Sequence, residues 1–229
     1  MPVDPMSSVN QLARAFLMQR RGMALLAATF PLIFLGSSVL LGRTDLQTSI
    51  SAYYWTGDPE RNLFVGVLCA IGVFLVLYQG SSTLEEWLLD AAGLSAAGVA
   101  LCPPPKAGAA SGSFPSMHYV FAAAFFACIF VVCLYGSEYT LKHIHHVERQ
   151  RRFRAFYRVC SGVMACAVTL AAWSRVLSPE RVRSFHAHRA VFWCEAVGVW
   201  AFSAYWYVKT RELDATASWV PFRSRKIGA

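Results

Sequence analysis

Six apolar runs of about twenty residues recur along the chain, and they restrict its fold more than any other feature. They cover residues 22–42, 62–80, 87–102, 119–136, 155–177 and 190–208. A helix of this length crosses the hydrocarbon core of a bilayer, which is about 30 Å thick. Because lipid offers the backbone no hydrogen-bond partners, such runs are expected to be helical. The sequence therefore predicts an all-α integral membrane bundle of six transmembrane helices, forming a single membrane domain over residues 1–229.

The composition agrees with a membrane protein and excludes an ordinary soluble domain. Hydrophobic residues make up 56% of the chain and charged residues 15%, whereas soluble domains carry about 25% charged residues. The first run is too long for the apolar core of a secretory signal, and no clear cleavage site follows it. We therefore expect a membrane helix there, bent at Pro31. In the second run, Gly66 and Gly72 predict close contact with a neighbouring helix.

The distribution of basic residues predicts the orientation in the membrane. Of the 21 Lys and Arg residues, 14 lie on the side of the runs that holds both termini, and seven lie on the other. By the positive-inside rule, both termini and the 138–154 loop are cytoplasmic, and residues 209–229 form a basic cytoplasmic tail. The predicted location is the cell inner membrane, with multiple passes. The net charge of +8 then reflects topology and attraction to membrane lipids, so no nucleic-acid partner is expected.

Cysteines and histidines give no sign of a metal centre. Nearly all of the seven cysteines fall inside apolar runs, which is typical of small buried hydrophobic residues rather than of a disulfide framework. His143, His145 and His146 form a cluster in a charged loop, without a cysteine or carboxylate at ligand spacing. We interpret that loop as solvated. The sequence predicts no bound metal and no cofactor.

Polar residues collect at the predicted outer ends of the helices. Residues 113–118 lead directly into the fourth run, which places His118 at a helix N-terminus, where the helix dipole favours an anion. Residues 174–189 hold four arginines and one glutamate, against the positive-inside trend, and an anionic ligand would explain them. Glu195 follows His188 by about two turns and so lies on roughly the same face of the sixth helix. A carboxylate that deep in an apolar run is expected to have a polar partner, most simply an outer arginine or histidine.

These observations predict an outer-face site that binds an anionic lipid or a lipid phosphate. Histidine can act as a nucleophile or a general acid, and arginine clamps phosphate. Tyr53 and Tyr54 belong to an aromatic segment, residues 49–55, which we interpret as an interfacial belt, with a pocket rim as the alternative. The catalytic candidates are His118, His186, His188 and Glu195, and the ligand-binding candidates are Tyr53, Tyr54, Arg61, Ser116 and Arg175.

One short motif resembles that of a known enzyme family. Pro115-Ser116-Met117-His118 resembles the Pro-Ser-x-His motif of the type 2 phosphatidic acid phosphatase superfamily, whose members are six-helix membrane enzymes with an outer-face active site. The resemblance implies that Ser116 and Arg175 bind phosphate and that His118 protonates the leaving group. The family's second motif, Ser-Arg-x5-His-x3-Asp, matches only in its first two residues, because Arg181 stands where the nucleophilic histidine belongs. The family's upstream Lys-x6-Arg-Pro motif is absent.

A second resemblance covers more of the chain. Residues 49–54, 61–68, 192–195 and 199–202 resemble segments of a group of bacterial polytopic inner-membrane proteins without an assigned activity. A histidine near the start of the fourth helix recurs in that group, but the preceding Pro-Ser does not. This resemblance implies a membrane location and a polar cluster that defines the fold. Its expected members are Tyr53, Tyr54, Arg61, His118 and Glu195.

Two further interpretations stay open. An intramembrane zinc hydrolase, like the alkaline ceramidase and adiponectin-receptor group, would use His118, His186 and His188. Those enzymes have seven helices and histidines spaced by three on a helix, whereas His186 and His188 are two residues apart in a loop. Alternatively, the histidine and the glutamate satisfy each other and nearby backbone groups, as in a binding or structural membrane protein.

Overall fold

The computed structural model describes residues 5–40, 42, 45–106, 116–136, 141, 147–173 and 189–215. These residues are mostly helical and include no strand, which confirms the predicted all-α class. The long helices within them are α1 (Pro5–Leu35), α2 (Asp58–Val76), α3 (Thr83–Leu101), α4 (Met117–Val131), α5 (Val147–Trp173) and α6 (Ala190–Ala215). Single π-helical turns, Gly36–Leu40 and Val132–Gly136, extend α1 and α4, and a 3-10 turn, Ser51–Trp55, precedes α2.

Four helices of the described residues are long and apolar enough to cross a membrane. They occupy Arg14–Leu40, Asp58–Val76, Met117–Tyr135 and Val147–Trp173. The helices α3 and α6 are not among them; α3 carries Glu85, Glu86 and Asp90, and α6 carries Glu195 and several Trp and Tyr residues. The apolar helices indicate an α-helical membrane protein.

Several helices extend beyond the apolar runs that predict them. The helix α1 begins at Pro5, well before residue 22, and continues through Pro31 into the π-helical turn. Similarly, α5 begins at Val147 rather than near residue 155, and α6 continues past residue 208 to Ala215. Polar residues do not end these helices, because a helix that leaves the hydrocarbon region keeps its backbone hydrogen bonds in water.

Local signals start two of the helices. Gly57 precedes α2 with φ at 152°, a backbone conformation that favours glycine. Pro59 in the first turn of α2 has no N–H to leave unpaired, and Asp58 beside it is placed favourably toward the helix dipole. Ser82 caps α3, because its hydroxyl oxygen accepts a hydrogen bond from the Glu85 amide at 3.2 Å.

The six helices form a closed circle in chain order. Each packs against the next along the chain, and α1 packs extensively against α6, which closes the circle. Buried side chains from all six helices fill the interior, among them Met23, Ile71, Leu89, Ile129, Tyr157 and Phe202. Many large apolar side chains instead face outward, including Leu25, Val73, Leu94, Val120, Leu170 and Val197. Such an exposed apolar surface suits contact with lipid tails.

The closest backbone contact joins α2 and α3. A Cβ atom built on Gly72 would lie 2.7 Å from the Gly93 carbonyl oxygen, and one built on Gly93 would lie 2.6 Å from the Gly72 oxygen. The predicted close contact at Gly72 is therefore confirmed. At Gly66 the prediction is wrong, because a Cβ atom there would meet nothing within 4 Å.

Candidate functional site

The loop end of the bundle is the end that holds residues 45–57, the last turn of α3 and the first turn of α4. There, residues 45–57 fold inward between the helices. Ile50 and Tyr53 are buried in a second apolar cluster, which α1, α2 and α6 complete with Phe30, Phe34, Phe64, Phe192 and Ala196. Because a buried loop carries polar backbone groups, it needs hydrogen-bond partners from the helices around it.

Glu195 supplies one of these partners from α6. Its Oε2 atom accepts a hydrogen bond from the Ile50 amide at 2.7 Å. One turn earlier on the same helix, the Phe192 amide donates to the Thr48 carbonyl oxygen at 2.9 Å. This contact is to a backbone amide, and the predicted partnership of Glu195 with an outer arginine or histidine stays a prediction, because Arg175, His186 and His188 lie outside the described residues. Glu195 thus holds the loop against α6.

Tyr53 fastens the same loop to α1. Its side chain is 0% exposed, and its ring centroid lies 4.6 Å from that of Phe34. Its hydroxyl group contacts the Ser38 hydroxyl, donates to the Phe34 carbonyl oxygen at 3.3 Å and accepts from the Gln47 amide at 3.4 Å. These contacts give Tyr53 a structural role, and its role in ligand binding stays a prediction.

His118 lies in the first turn of α4 and is 3% exposed. Its Nδ1 atom lies 2.8 Å from the carbonyl oxygen of Cys102, at the end of α3. Because a carbonyl oxygen only accepts, Nδ1 must carry the hydrogen. In the neutral imidazole Nε2 then bears the lone pair, and in the protonated form Nε2 can donate a proton. The contact with Cys102 therefore fixes a tautomer that is compatible with acid–base chemistry.

Ser116 occupies the N-cap position of α4, two residues before His118. Its carbonyl oxygen accepts hydrogen bonds from the amides of Tyr119 at 2.9 Å and Val120 at 3.2 Å. Its side chain makes no capping hydrogen bond, although serine commonly does so at this position. The cap is thus formed by the backbone, and the phosphate-binding role implied for Ser116 stays a prediction.

A row of aromatic rings leads from His118 to the surface. The rings of His118 and Phe64 stack with centroids 6.3 Å apart, and Tyr54 lies 6.3 Å from Phe64 on its edge. Tyr54 in turn contacts Trp55 at 5.1 Å. We call His118, Phe64, Tyr54 and Trp55 the aromatic row. It connects a buried imidazole to an indole that is 44% exposed.

The exposed rim of the loop end carries two cations in different settings. The Lys106 ammonium nitrogen lies 4.6 Å from the centroid of the Trp55 ring, and the Trp55 indole donates to the Pro104 carbonyl oxygen at 3.0 Å. Arg61 instead forms an ion pair with Asp58 one turn away, and both side chains are exposed. Pairing with Asp58 leaves Arg61 less suited than Lys106 to attract an anion.

The structure arranges the predicted site residues into separate groups. Tyr54 and His118 both pack against Phe64. Tyr53 and Glu195 hold the loop, whereas Arg61 lies at the surface. Outside the described residues lie Arg175, His186, His188, the cluster His143, His145 and His146, and the tail from residue 216.

No group of three or more His, Cys, Asp or Glu side chains within the described ranges could hold a metal ion. Of the three histidines in the zinc interpretation, only His118 lies in those ranges. All seven cysteines are free thiols, but only Cys133 and Cys160 are buried, and Cys166 is exposed. The description of the cysteines as buried hydrophobic residues therefore holds for two of them.

The opposite end of the bundle holds buried polar residues that the sequence did not predict. We call it the terminus end; its polar members are Arg20 of α1, Tyr78 after α2, Glu85 of α3, Tyr157 of α5, and Lys209 and Glu212 of α6. All are buried, and Lys209 is 1% exposed. Charged side chains are rarely buried unless they are paired, so this end is an ordered polar core rather than a solvated helix end.

Hydrogen bonds across the bundle connect these residues. Arg20 Nη1 donates to the Lys209 carbonyl oxygen at 2.7 Å, and Arg20 Nη2 contacts the Tyr78 hydroxyl. The Tyr157 hydroxyl donates to Glu212 Oε2 at 2.6 Å, and Lys209 Nζ lies 3.7 Å from the same oxygen. The terminus end therefore joins α1, α5 and α6 through charged groups.

One sequence signal could have identified this core. Tyr205, Lys209 and Glu212 follow one another at helical spacing, so they lie on one face of α6. Tyr205 belongs to the apolar run that ends at residue 208, and the face of α6 that carries it continues beyond that residue with Lys209 and Glu212. Because the charge of Lys209 marks the end of the apolar run, the sequence predicts instead that the tail begins there.

Comparison of the chain with protein-family models, curated proteins and solved structures finds no match in any of the three.

Proposed function

We propose that this chain is a six-span inner-membrane protein with both termini cytoplasmic, and that its outer face binds an anionic lipid or another anionic ligand. The six-span count is supported by packing. The helix α3 lies between α2 and α4, and α6 lies between α5 and α1, so each packs between two helices that are apolar enough to cross. A helix packed between two spans shares their depth in the membrane. The positive-inside distribution then assigns the loop end to the outer face.

The observation that carries the binding proposal is the position of Lys106 over Trp55. Trp side chains concentrate at the level of the lipid headgroups, and a cation–π contact holds the ammonium group at that level. Lys106 contacts no carboxylate within the described ranges, in contrast to Arg61. An ammonium group at headgroup depth without an acidic partner is placed to attract a phosphate group.

A lipid-binding experiment tests this proposal. The full chain, purified in detergent, is titrated with phosphatidylglycerol and separately with phosphatidylcholine, and bound lipid is counted by native mass spectrometry. We expect the anionic lipid to bind more tightly. Lys106→Gln should weaken phosphatidylglycerol binding about five-fold, because one basic residue near the surface contributes about 1 kcal/mol. Lys106→Arg is the matched control and should retain binding. Equal affinity for both lipids, or no effect of Lys106→Gln, would contradict the proposal.

A second candidate function is hydrolysis or transfer of a lipid phosphate with His118 as general acid. It is favoured by one observation: the Cys102 carbonyl oxygen holds Nδ1, so Nε2 is the nitrogen that exchanges a proton. Purified protein should then release inorganic phosphate from phosphatidic acid, and His118→Ala should abolish the release. Tyr119→Phe, which keeps the adjacent ring, is the control. Absence of phosphate release from the unmodified protein would remove this candidate.

A further inference from the structure

The first turns of α5, at the terminus end, carry a concentrated positive charge. Residues 147–158 hold five arginines and one glutamate. Within the described ranges, Arg151 and Arg152 form no ion pair with a carboxylate. A cluster of exposed arginines creates a positive potential that attracts an anionic partner. Four of the five arginines are exposed, namely Arg149, Arg151, Arg152 and Arg158.

Helical spacing places two of these arginines on one face of α5. Arg151 and Arg158 are seven residues apart, which is close to two full turns, and Ala155 lies between them on the same side. The other side of the helix at this level faces the interior, where Tyr157 is 0% exposed. We call the exposed side, which consists of Arg151, Ala155, Arg158 and Gly162, the arginine face.

The arginine face continues along α5 into a surface that suits lipid tails. Val159 is 61% exposed and Leu170 is 49% exposed. A Cβ atom built on Gly162 would meet no described atom within 4 Å, so the surface below Arg158 is open. Because α5 is apolar enough to cross a membrane, its exposed apolar part contacts acyl chains. The arginines then lie where this part ends, at the level of the lipid headgroups.

We propose that the arginine face binds an anionic phospholipid with more than one phosphate group, represented by cardiolipin, in the leaflet at the terminus end. A phospholipid matches the whole face, because its phosphates meet the arginines and its acyl chains meet the apolar surface beside them. A soluble polyanion would contact only the charges. Each guanidinium is suited to a bidentate contact with one phosphate, so several of them favour a lipid with two phosphates over a lipid with one. This site is separate from the outer-face site proposed above, since it lies at the other end of the bundle.

Photo-crosslinking tests which lipid occupies the arginine face. The full chain, with benzoylphenylalanine in place of Ala155, is reconstituted in vesicles of phosphatidylcholine, phosphatidylglycerol and cardiolipin and illuminated. Captured lipid is then identified by mass spectrometry, and we expect cardiolipin to be captured several-fold above its share of the vesicle. The matched control carries the photoreactive residue in place of Trp87, which is 70% exposed near the start of α3, and it should capture the lipids in proportion to their shares. Proportional capture at position 155 would overturn the proposal, and so would phosphatidylglycerol captured as strongly as cardiolipin.

Substitutions test whether the arginines select the lipid. Arg151→Gln and Arg158→Gln, each combined with the photoreactive residue, should lower cardiolipin capture about five-fold, because one basic residue near the surface changes lipid affinity by about this factor. Arg21→Gln is the control for net charge, since Arg21 is an exposed arginine of α1, and it should leave the capture unchanged. Lys106→Gln should also leave it unchanged, which separates this site from the outer-face site. Full cardiolipin capture in Arg151→Gln and Arg158→Gln would overturn the assignment.

Discussion

At the scale of single residues, polar side chains of the loop end form hydrogen bonds with the loop of residues 45–57. Without these bonds, burial of the polar backbone groups of this loop would be strongly unfavourable. Ser49, Ile50, Ser51 and Tyr53 are buried, with Ile50 and Tyr53 packed between α1, α2 and α6, so backbone groups in this part of the loop lose contact with water. Two hydrogen bonds compensate for the lost water: the Tyr53 hydroxyl donates to α1, and Glu195 of α6 accepts from the Ile50 amide. Ser37 adds a third connection, because its hydroxyl donates to Glu60 Oε1 at 2.7 Å and joins α1 to α2.

The Tyr53 hydroxyl should contribute measurably to stability. Tyr53→Phe removes its contacts with Ser38, Phe34 and Gln47, and we expect the free energy of unfolding to fall by about 1 kcal/mol. Tyr54→Phe is the control, because the contacts of Tyr54 are made by its ring. Both variants are measured by thermal unfolding in detergent. Equal losses in the two variants would contradict this role of Tyr53.

The hydrogen bond that Glu195 accepts from the Ile50 amide should contribute measurably to stability. Glu195→Ala leaves the Ile50 amide without this partner and should lower the free energy of unfolding by about 1–3 kcal/mol. Glu195→Gln keeps a carbonyl oxygen at the same position and should lose much less. Unfolding in a titration with a denaturing detergent compares the two. If Glu195→Gln were as unstable as Glu195→Ala, the negative charge itself would be required.

The sequence identified these residues, and one of its open interpretations had them bind nearby backbone groups without saying which. A histidine at a helix start and a carboxylate within an apolar run are visible as exceptions, so His118 and Glu195 could be found. Their described partners are the Cys102 carbonyl oxygen and the Ile50 amide, and a backbone group leaves no mark in the residue pattern. The sequence therefore could not identify which backbone groups these are.

At the scale of the helices, the apolar runs located the six long helices of the described residues but misplaced several of their ends. An apolar run marks only the part of a helix that contacts lipid or the apolar core, and it ends at the first charged residue even where the helix continues. Arg20, Lys209 and Glu212 lie beyond those limits, yet they are buried because other helices supply their partners. Partners that are 189 residues apart in the chain, such as Arg20 and Lys209, cannot be paired from one sequence.

The contact between α2 and α3 leads to a prediction at this scale. Gly72→Ala would bring a methyl group to within 2.7 Å of the Gly93 carbonyl oxygen, so the two helices must separate. We expect a loss of about 1–3 kcal/mol in the free energy of unfolding. Gly66→Ala, on the same helix, meets open space and should be neutral or stabilising. Thermal unfolding of both variants makes the comparison, and similar Tm values for the two would contradict it.

At the scale of the whole molecule, different interactions hold the two ends of the bundle together. The loop end is held by hydrogen bonds to backbone groups and by an aromatic row that reaches the surface. The terminus end is held by buried charges of both signs. The two ends of the circle of six helices therefore differ in the kind of interaction that holds them.

The proposed topology can be tested with reporter fusions. Green fluorescent protein and alkaline phosphatase are fused after Gly80 and after Lys106, on either side of α3. With six spans, the fluorescent fusion is active after Gly80 and the phosphatase after Lys106, because only the second point is outside. Fluorescence should also be retained at Ala229. The same reporter being active at Gly80 and Lys106 would show that α3 does not cross.

The contact between α1 and α6 also has a consequence for biogenesis. The helix α1 has its most extensive partner in α6, which follows it by more than 150 residues, so α1 must wait in the bilayer until α6 has been made. During that interval Arg20 lacks the Lys209 carbonyl oxygen that it later contacts. Insertion of α1 and its assembly with α6 are therefore separate events in time, and translation of α6 is the step that allows these helices to pack together.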